Sequence, residues 1–295
     1  MTWYLASLIQ SFIVVIVLFI DKIVVSNWTK NPYQSLIITG FFSLISALLV
    51  YLIKGVDNSI YILPCILLGI FYMGNFILYF KLMQKAEVSK FIPFTVISNI
   101  FILILAVVLL KESLGFLQYI GIIIITLGAI LLSIENKGEL KWSPSIKLLL
   151  VYVIMLSLSA VANKYLLGFV DYWTLFFYES IGIFIASLPI VFYNFKDLLK
   201  TINKHGKKVI GFMLFSEMLA MISLLLLLIA ASLGSVSLVN AFGSLRLIMI
   251  FIVSLVLSSL FPQILKEDYS NKGIITQKIV ATILMAIGSF IIFIK

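Results

Sequence analysis

Ten apolar segments of about 20 residues, joined by short polar stretches, fill this chain of 295 residues. The hydrocarbon core of a bilayer is about 30 Å thick and requires about 20 apolar residues per helix. Apolar residues make up 63% of the chain and charged residues 11%, whereas about a quarter of the residues in soluble domains are charged. We therefore predict an all-α integral membrane protein with ten transmembrane helices. The predicted spans are residues 3–22, 33–53, 60–80, 89–110, 116–134, 146–168, 172–193, 209–230, 236–260 and 273–294.

Short sequences recur in the same order in the two halves of the chain. Asp21-Lys22 lies near the end of the first segment, and Asn163-Lys164 lies near the end of the sixth. Leu110-Lys111-Glu112 recurs as Leu265-Lys266-Glu267. A repeat with an odd number of spans is inverted relative to its copy, which is the architecture of transporters with a site between two halves. The two predicted inverted five-helix repeats are residues 1–140 and 141–295.

The remaining composition excludes several classes of protein. The spans leave no room for a soluble domain, and the lysines behind the net charge of +9 are scattered over short loops. Such lysines are typical membrane-flanking charges, so we expect no nucleic-acid partner. The single cysteine, Cys65, cannot form an intramolecular disulfide and is expected to be a packing residue. The first segment lacks a basic region before its apolar run, so we expect a retained helix rather than a signal peptide.

Among the charged residues that lie well inside predicted spans, away from the span ends, the second half holds three: Glu179, Glu217 and Arg246. Each costs about 2.5–3.5 kcal/mol to insert, so each is a hypothesis about function. The eighth and ninth helices are antiparallel and are joined by a tight connection at residues 231–235. Counting about 1.5 Å per residue from that connection, we expect Glu217 and Arg246 at the same depth, where they can pair if their faces meet.

Two interpretations of Glu217 and Arg246 remain open. In the first, they form a buried ion pair that only holds two helices together. In the second, Arg246, the sole arginine of the chain, binds an anionic group of a substrate, because its planar guanidinium suits carboxylates. Glu217 is then its counter-ion or the leading candidate for a proton carrier. Glu179 is the second candidate, and it either faces the same cavity or hydrogen-bonds to another helix.

The first half carries milder polar residues within its spans. Asn75 follows Tyr72 in the third span, and Asn99 lies in a polar strip of the fourth. These side chains either hydrogen-bond between helices or line a cavity with Tyr72. For Lys22 and Lys164 the simpler interpretation is that long side chains at helix ends reach toward the interface. Their recurrence indicates corresponding corners of the two halves.

These residues together resemble the EamA-type transporters of the drug/metabolite transporter superfamily. The clearest match runs over residues 86–134 and includes Leu110-Lys111-Glu112 and the glycines Gly121 and Gly128; residues 231–293 repeat it, with Gly288. The chain departs from the family pattern where members often carry a proline, near Asn99 and Leu247. It also has an insertion at residues 258–264. We expect Glu112 and Glu267 to cap or brace helix ends.

The resemblance implies a secondary transporter of a small polar or amphipathic metabolite, working by alternating access and commonly exporting its substrate. The expected cavity lies between the halves, with helices three, four, eight and nine as walls. It also implies a multi-pass protein of the cell membrane whose partners are a small-molecule substrate, the lipid bilayer and, if transport is coupled, protons. Of the twenty lysines, sixteen lie on the face where odd-numbered spans end; this favours a cytoplasmic position for that face. The family resemblance implies the reverse orientation, and both remain open.

Two other functions are alternatives to transport for a chain of this kind. An integral-membrane enzyme requires convergent catalytic or metal-binding residues, but the only histidine, His205, lies in a lysine-rich loop. We therefore expect no catalytic residues, metal or cofactor. A scaffold or lipid-flipping partner without transport activity is the other alternative. The sequence contains no signal for the oligomeric state.

Overall fold

The structure is a computed structural model in which every regular element of the described residues is helical. The described residues are 1–29, 31–56, 59–85, 93–133, 144–260 and 272–294. The α-helices are α1 (Trp3–Asn27), α2 (Tyr33–Lys54), α3 (Ile62–Lys85), α4 (Ser98–Leu109), α5 (Phe116–Ser133), α6 (Pro144–Leu166), α7 (Tyr172–His205), α8 (Lys207–Leu233), α9 (Val236–Gly243), α10 (Arg246–Leu260) and α11 (Lys272–Ile291). A 3₁₀ helix, Pro93–Ile97, leads directly into α4.

Seven helical stretches of the described chain are long and apolar enough to cross a membrane. They are Trp3–Asn27, Tyr33–Lys54, Ile62–Gln84, Lys147–Leu166, Tyr172–His205, Lys207–Leu233 and Val236–Val253. Three shorter apolar helices, Thr95–Leu109, Phe116–Leu132 and Thr276–Ile291, coincide with the other predicted spans. Many large apolar side chains face outward, as Leu52 and Phe192 do, which fits contact with lipid tails. The prediction of a helical, multi-pass membrane protein is therefore confirmed.

Two helices run further than their predicted spans. α1 continues to Asn27 rather than residue 22, and α7 continues to His205 rather than residue 193. The extension of α7 buries Leu198 against Val209 and Met213 of α8. The only residue between α7 and α8 is Gly206, whose φ of 79° is a left-handed conformation that glycine adopts without steric cost. The prediction of a loop between these two spans is therefore wrong. The segment is helical because one of its faces is apolar and packs on α8.

The predicted span 236–260 is not one continuous helix. α9 ends at Gly243 and α10 begins at Arg246. In the turn between them, Ser244 N–H donates to Ala241 O over 3.1 Å and Leu247 N–H donates to Ser244 O over 3.0 Å. These tighter i→i+3 bonds replace the α-helical pattern. Arg246 consequently stands at the first residue of a helix rather than in the middle of one.

Glycines allow close packing between helices at two crossings. A Cβ added to Gly288 of α11 would lie 2.9 Å from the carbonyl oxygen of Gly121 of α5. At the α3–α7 crossing, a Cβ on Gly69 would clash with the carbonyl oxygen of Glu179, and one on Gly182 would clash with that of Ile66. Small residues at such positions let two membrane helices approach backbone to backbone. Because the α3–α7 crossing admits no side chain at Gly69 or Gly182, it fixes which face of α7 turns toward α3.

Candidate functional site

A cavity of about 250 Å³ lies among the helices and is lined by side chains from both halves of the chain. Its walls come mainly from α1, α3, α4, α6, α8 and α9, with Thr39 of α2 and Arg246 of α10. The predicted walls, helices three, four, eight and nine, all contribute, and the structure adds α1 and α6. The polar residues of the lining are Gln10, Asp21, Thr39, Tyr72, Tyr79, Ser98, Asn99, Tyr152, Ser159, Glu217, Ser223, Asn240 and Arg246.

Two carboxylates share the part of this cavity between α1 and α8. Asp21 accepts hydrogen bonds from the hydroxyls of Ser216, over 2.5 Å, and Tyr79, over 3.0 Å. Glu217, the residue after Ser216, lies 2.5 Å from the Thr39 hydroxyl through its Oε1. Both carboxylates are only 7% exposed. Neutral hydroxyls thus hydrogen-bond two buried acidic groups in the same cavity.

Arg246 lines the same cavity as Glu217, but the two do not form an ion pair. The Arg246 guanidinium makes a 3.5 Å contact from Nη2 to the Thr95 hydroxyl. Its buried Nε has no hydrogen-bond partner among the described residues. The predicted pairing of Glu217 with Arg246, whether as a structural bridge or with Glu217 as counter-ion, is therefore not formed in this structure. The turn at Ser244 places Arg246 beside the 3₁₀ helix that precedes α4, away from contact with Glu217.

Asn99 and Tyr72 line the cavity, while Asn75 does not. The Asn99 amide donates to the Ser244 hydroxyl over 2.8 Å, so it supports the turn that precedes Arg246. The Tyr72 hydroxyl accepts from the Asn163 amide over 2.7 Å. Asn75 donates over 2.6 Å to Ser159, which does reach the cavity. Each predicted polar residue thus links helices, and two of the three also face the cavity.

Glu179 lies elsewhere, completely buried and outside the lining of the cavity. Its backbone carbonyl packs against Gly69 of α3. Neither carboxylate oxygen has a hydrogen-bond partner in the described part of the chain. The expectation that Glu179 faces the same cavity is wrong for this conformation, because the crossing at Gly69 and Gly182 turns it toward α3.

Asp21 is the site residue that the sequence interpretation missed. The predicted first span ended at residue 22, which put Asp21 at a helix end, whereas α1 continues for more than a turn to Asn27. The apolar run Ile23-Val24-Val25 after Lys22 was the available signal for this continuation. A carboxylate one turn inside a span is costly to bury, and that cost marks Asp21 as a functional candidate alongside Glu217.

Lys22 and Lys164, which occupy corresponding positions in the two halves, donate hydrogen bonds to carbonyls at helix ends. They do more than extend toward the membrane–water interface. Lys22 Nζ donates to Met83 O over 3.2 Å, near the end of α3. Lys164 Nζ donates over 2.7 Å to both Ala231 O and Gly234 O, at the end of α8. Cations are favourable beside the unpaired carbonyls of a helix C-terminus. The two corners therefore make corresponding contacts, each with the end of the third helix of a half.

Glu112 caps the start of α9, as predicted. Its carboxylate accepts from the Val236 amide over 2.7 Å and from the Ser237 hydroxyl over 2.9 Å. An acidic side chain at a helix N-terminus satisfies amides that have no partner inside the helix. Glu267, its counterpart in the second half, lies outside the described residues. Within the described part of the chain, no group of three or more His, Cys, Asp or Glu side chains is arranged to hold a metal.

Comparison with known proteins identifies the family. The EamA-like transporter family matches residues 1–134. An uncharacterized protein of Methanocaldococcus jannaschii is 32% identical over 111 residues, which are 36% of this chain and 80% of that protein. A solved structure, described only as the crystal structure of a protein, aligns with 97% of this chain and 96% of its own at a TM-score of 0.67 and 13% identity. That structure shares the fold. This chain belongs to the EamA-like transporter family of the drug/metabolite transporter superfamily.

Proposed function

We propose that this protein is a secondary transporter that exports a small polar or amphipathic metabolite across the cell membrane by alternating access. The observation that carries the proposal is the cavity, which both halves line and which contains Asp21, Glu217 and Arg246. Charged groups are retained inside a membrane protein mainly where a substrate or ion passes. A purely structural bundle has no need for a cavity whose charged groups form no ion pair among the described residues.

The proposed architecture is ten crossings in two inverted repeats, residues 1–140 and 141–295. The packing supports it, because α2 packs on α7 and α5 packs on α11, and each pair joins helices that the repeat makes equivalent. The contact of α1 with α8 has its counterpart in the contact of α6 with α3. Exchange of the two halves therefore preserves the pattern of neighbours, as expected for an internal two-fold relation in the membrane plane.

Departures from α-helical geometry in equivalent spans also support this architecture. In the first half, the 3₁₀ helix Pro93–Ile97 leads into α4, and in the second half the turn at Ser244 and Leu245 precedes α10. Discontinuous helices are typical of transporter sites near the middle of the bilayer. We propose that the halves rock about the cavity at these two places.

The residues of the cavity receive distinct roles in this mechanism. Arg246 binds an anionic group of the substrate, because its guanidinium lines the cavity and its Nε is unpartnered among the described residues. Glu217 is the first candidate for a proton carrier. Tyr72 and Asn99 provide polar contacts to the substrate. Asn75, whose amide bonds Ser159, is a support for the cavity wall.

Glu179 keeps a separate role as the second candidate for proton coupling. It does not reach the cavity in this conformation, so a role for it requires the opposite-facing state of the halves. Its two unpartnered oxygens are consistent with a group that changes its surroundings during the cycle.

Flux through proteoliposomes tests the proposal. The purified chain is reconstituted into vesicles loaded with a defined panel of amino acids, organic acids and nucleosides, and efflux is followed by mass spectrometry with and without a pH gradient. We expect efflux of at least one compound above that from protein-free vesicles, and loss of its pH dependence in Glu217→Gln. The exposed Asp197, paired with Lys200, provides the control variant Asp197→Asn. No flux for any compound contradicts the transporter assignment.

The alternatives are separated in the same vesicles. Redistribution of a fluorescent lipid between leaflets, without metabolite flux, indicates a lipid-flipping partner. Arg246→Lys separates substrate binding from a structural role, because a lysine keeps the charge but loses the planar fork. We expect it to weaken transport of an anionic compound far more than it lowers the melting temperature.

A further inference from the structure

We propose that Asp21 and Glu217 form a two-carboxylate site that binds a positively charged amino group of the substrate in exchange for one proton. This inference rests on the proposed function and names the substrate class for one part of the cavity. Both carboxylates line the cavity, and Ser216, the neighbour of Glu217, hydrogen-bonds Asp21.

No cation among the described residues neutralises this pair. Neither Asp21 nor Glu217 forms an ion pair within the described residues, and their partners are the hydroxyls of Ser216, Tyr79 and Thr39. Lys22 follows Asp21 in sequence, but its Nζ donates to Met83 O. Two uncompensated carboxylates in a low-dielectric site repel each other, so the site favours either a bound proton or a bound cation.

The Thr39 hydroxyl lies within hydrogen-bond distance of two acceptors. Thr39 Oγ1 is 3.1 Å from Ser35 O and 2.5 Å from Glu217 Oε1, to which it donates the shorter bond. This one donor serves one oxygen of Glu217. Two ionised carboxylates in one buried site repel each other, so the inferred site holds one proton between Asp21 and Glu217.

The surroundings of Asp21 are those of an ionised carboxylate. Its two oxygens each face a hydroxyl, Ser216 at Oδ1 and Tyr79 at Oδ2. Ionised carboxylates only accept hydrogen bonds, and this pair of donors suits that state. Because Asp21 has a hydroxyl donor at each oxygen and Glu217 has one at Oε1, we place the shared proton on Glu217 and the negative charge on Asp21.

An ammonium group matches the site once this proton leaves. It brings three N–H donors, and it balances the second negative charge that appears when the Glu217 O–H bond breaks and the proton passes to water. Aromatic rings line the adjacent wall, among them Tyr72, Phe76 and Phe80, and ring faces attract cations. The cavity of about 250 Å³ has room for an amine carrying one aromatic ring.

The other ionisable groups around the pair do not supply a competing charge. The titratable or charged side chains that share the cavity with Asp21 and Glu217 are Tyr72, Tyr79, Tyr152 and Arg246. Tyr79 already bonds Asp21, and Arg246 contacts Thr95 rather than either carboxylate. Arg246 remains available for an anionic group of the same substrate.

The test uses three ring compounds of equal size and different charge: benzylamine, benzoate and benzyl alcohol. Binding to the purified full chain in detergent is measured by calorimetry, and proton release by a pH-indicating dye in weak buffer. We expect benzylamine to bind about tenfold or more tightly than the other two, since a charged hydrogen bond contributes about 1.5–3 kcal/mol. We also expect about one proton released per benzylamine bound, because two neighbouring carboxylates in a buried site share one proton until a cation arrives.

Variants assign the effect to the two carboxylates. Asp21→Asn is expected to weaken benzylamine binding about tenfold or more by removing the charged acceptor. Glu217→Gln is expected to abolish proton release, and Asp197→Asn to leave both readouts unchanged. If Asp21→Asn fails to give a monodisperse protein, Glu217→Gln and Thr39→Val still test the site, because Thr39→Val removes the hydroxyl that bonds Glu217 Oε1.

Two results overturn the inference: equal affinity for all three probes, or benzylamine binding without proton release in the unmodified chain. The outcome is distinguishable from that of the transport experiment. Metabolite flux without benzylamine binding removes the cation site and leaves the transporter, whereas binding without flux leaves the cation site and removes the transporter.

Discussion

The Ser216 hydroxyl donates a 2.5 Å hydrogen bond to the carboxylate of Asp21, across 195 positions of the chain. This bond joins α1 in the first half to α8 in the second, at the wall of the cavity. It therefore holds together the two proposed repeats at the place where the substrate is expected to bind. A contact at such a position contributes to the stability of the fold and to the shape of the site.

Ser216→Ala is expected to destabilise the protein by about 1–3 kcal/mol, because a buried carboxylate loses one of its donors. The melting temperature in detergent measures this effect. Ser232→Ala is the matched control in the same helix, since Ser232 is exposed and its hydroxyl bonds only to Ile229 O. An equal shift for the two variants contradicts a specific role for the bond between Ser216 and Asp21.

Gly69→Ala is expected to lower the free energy of unfolding by about 1–3 kcal/mol, the range typical of overpacking a tight contact. Its new Cβ meets the carbonyl oxygen of Glu179, which is backbone and moves only with the whole of α7. Gly211→Ala in α8 is the control, because nothing lies within 4 Å of a Cβ at that site. For Gly211→Ala we expect no loss of stability, and a gain of up to about 1 kcal/mol in the free energy of unfolding, because alanine has a higher helix propensity than glycine.

Thermal unfolding of both glycine variants decides the point, with size-exclusion profiles as a check that each is folded. If Gly69→Ala is as stable as Gly211→Ala, α3 and α7 do not approach each other as closely as the structure places them. The orientation of Glu179 then loses its physical basis.

The sequence was sufficient to predict the helical membrane class, because long apolar runs depend only on local composition. The same runs misplaced helix ends where charged residues interrupt an apolar run, as Asp21 and Lys22 do in α1, and where a polar segment continues the helix, as residues 194–205 do in α7. A buried carboxylate near the end of an apolar run is read as a flanking charge unless its partners are known. Ser216 and Tyr79, the partners of Asp21, are distant in sequence and carry no local signal.

The candidate site was predicted in part for a related reason. Depth in the membrane follows from counting residues, so Glu217 and Arg246 were expected at one level, and both do line the cavity. The direction in which a side chain points follows from the rotation of its helix about its own axis, and that rotation depends on packing. The turn at Ser244 directs Arg246 to Thr95, and the glycine crossing directs Glu179 away from the cavity.

Lys164→Met is expected to destabilise the protein by about 1–3 kcal/mol, because Lys164 is the charged donor to two carbonyls at the end of α8. The measurement is the melting temperature of the variant in detergent. Lys147→Met, at an exposed position of the same helix, is the control and should change little. Comparable losses for both lysines would show that the effect is one of net charge rather than of the helix end.

Glu112→Ala is expected to lower the stability of α9 against local unfolding by about 1–2 kcal/mol, the usual effect of losing an N-terminal cap. The Glu112 carboxylate bonds the Val236 amide and the Ser237 hydroxyl, so their loss should appear first in the opening turn of the helix. Hydrogen exchange of a peptide covering residues 236–243 measures it directly. The exposed Ser113 gives the control Ser113→Ala.

Loosening of α9 should also lower flux, because α9 carries Asn240 and Gly243 of the cavity wall. Glu112→Gln keeps an oxygen acceptor and is expected to fall between the alanine variant and the unmodified chain in both readouts. Faster exchange in Glu112→Ala without a loss of flux would separate the cap from the transport cycle. Unchanged exchange would contradict the cap itself, since no other described side chain accepts from the Val236 amide.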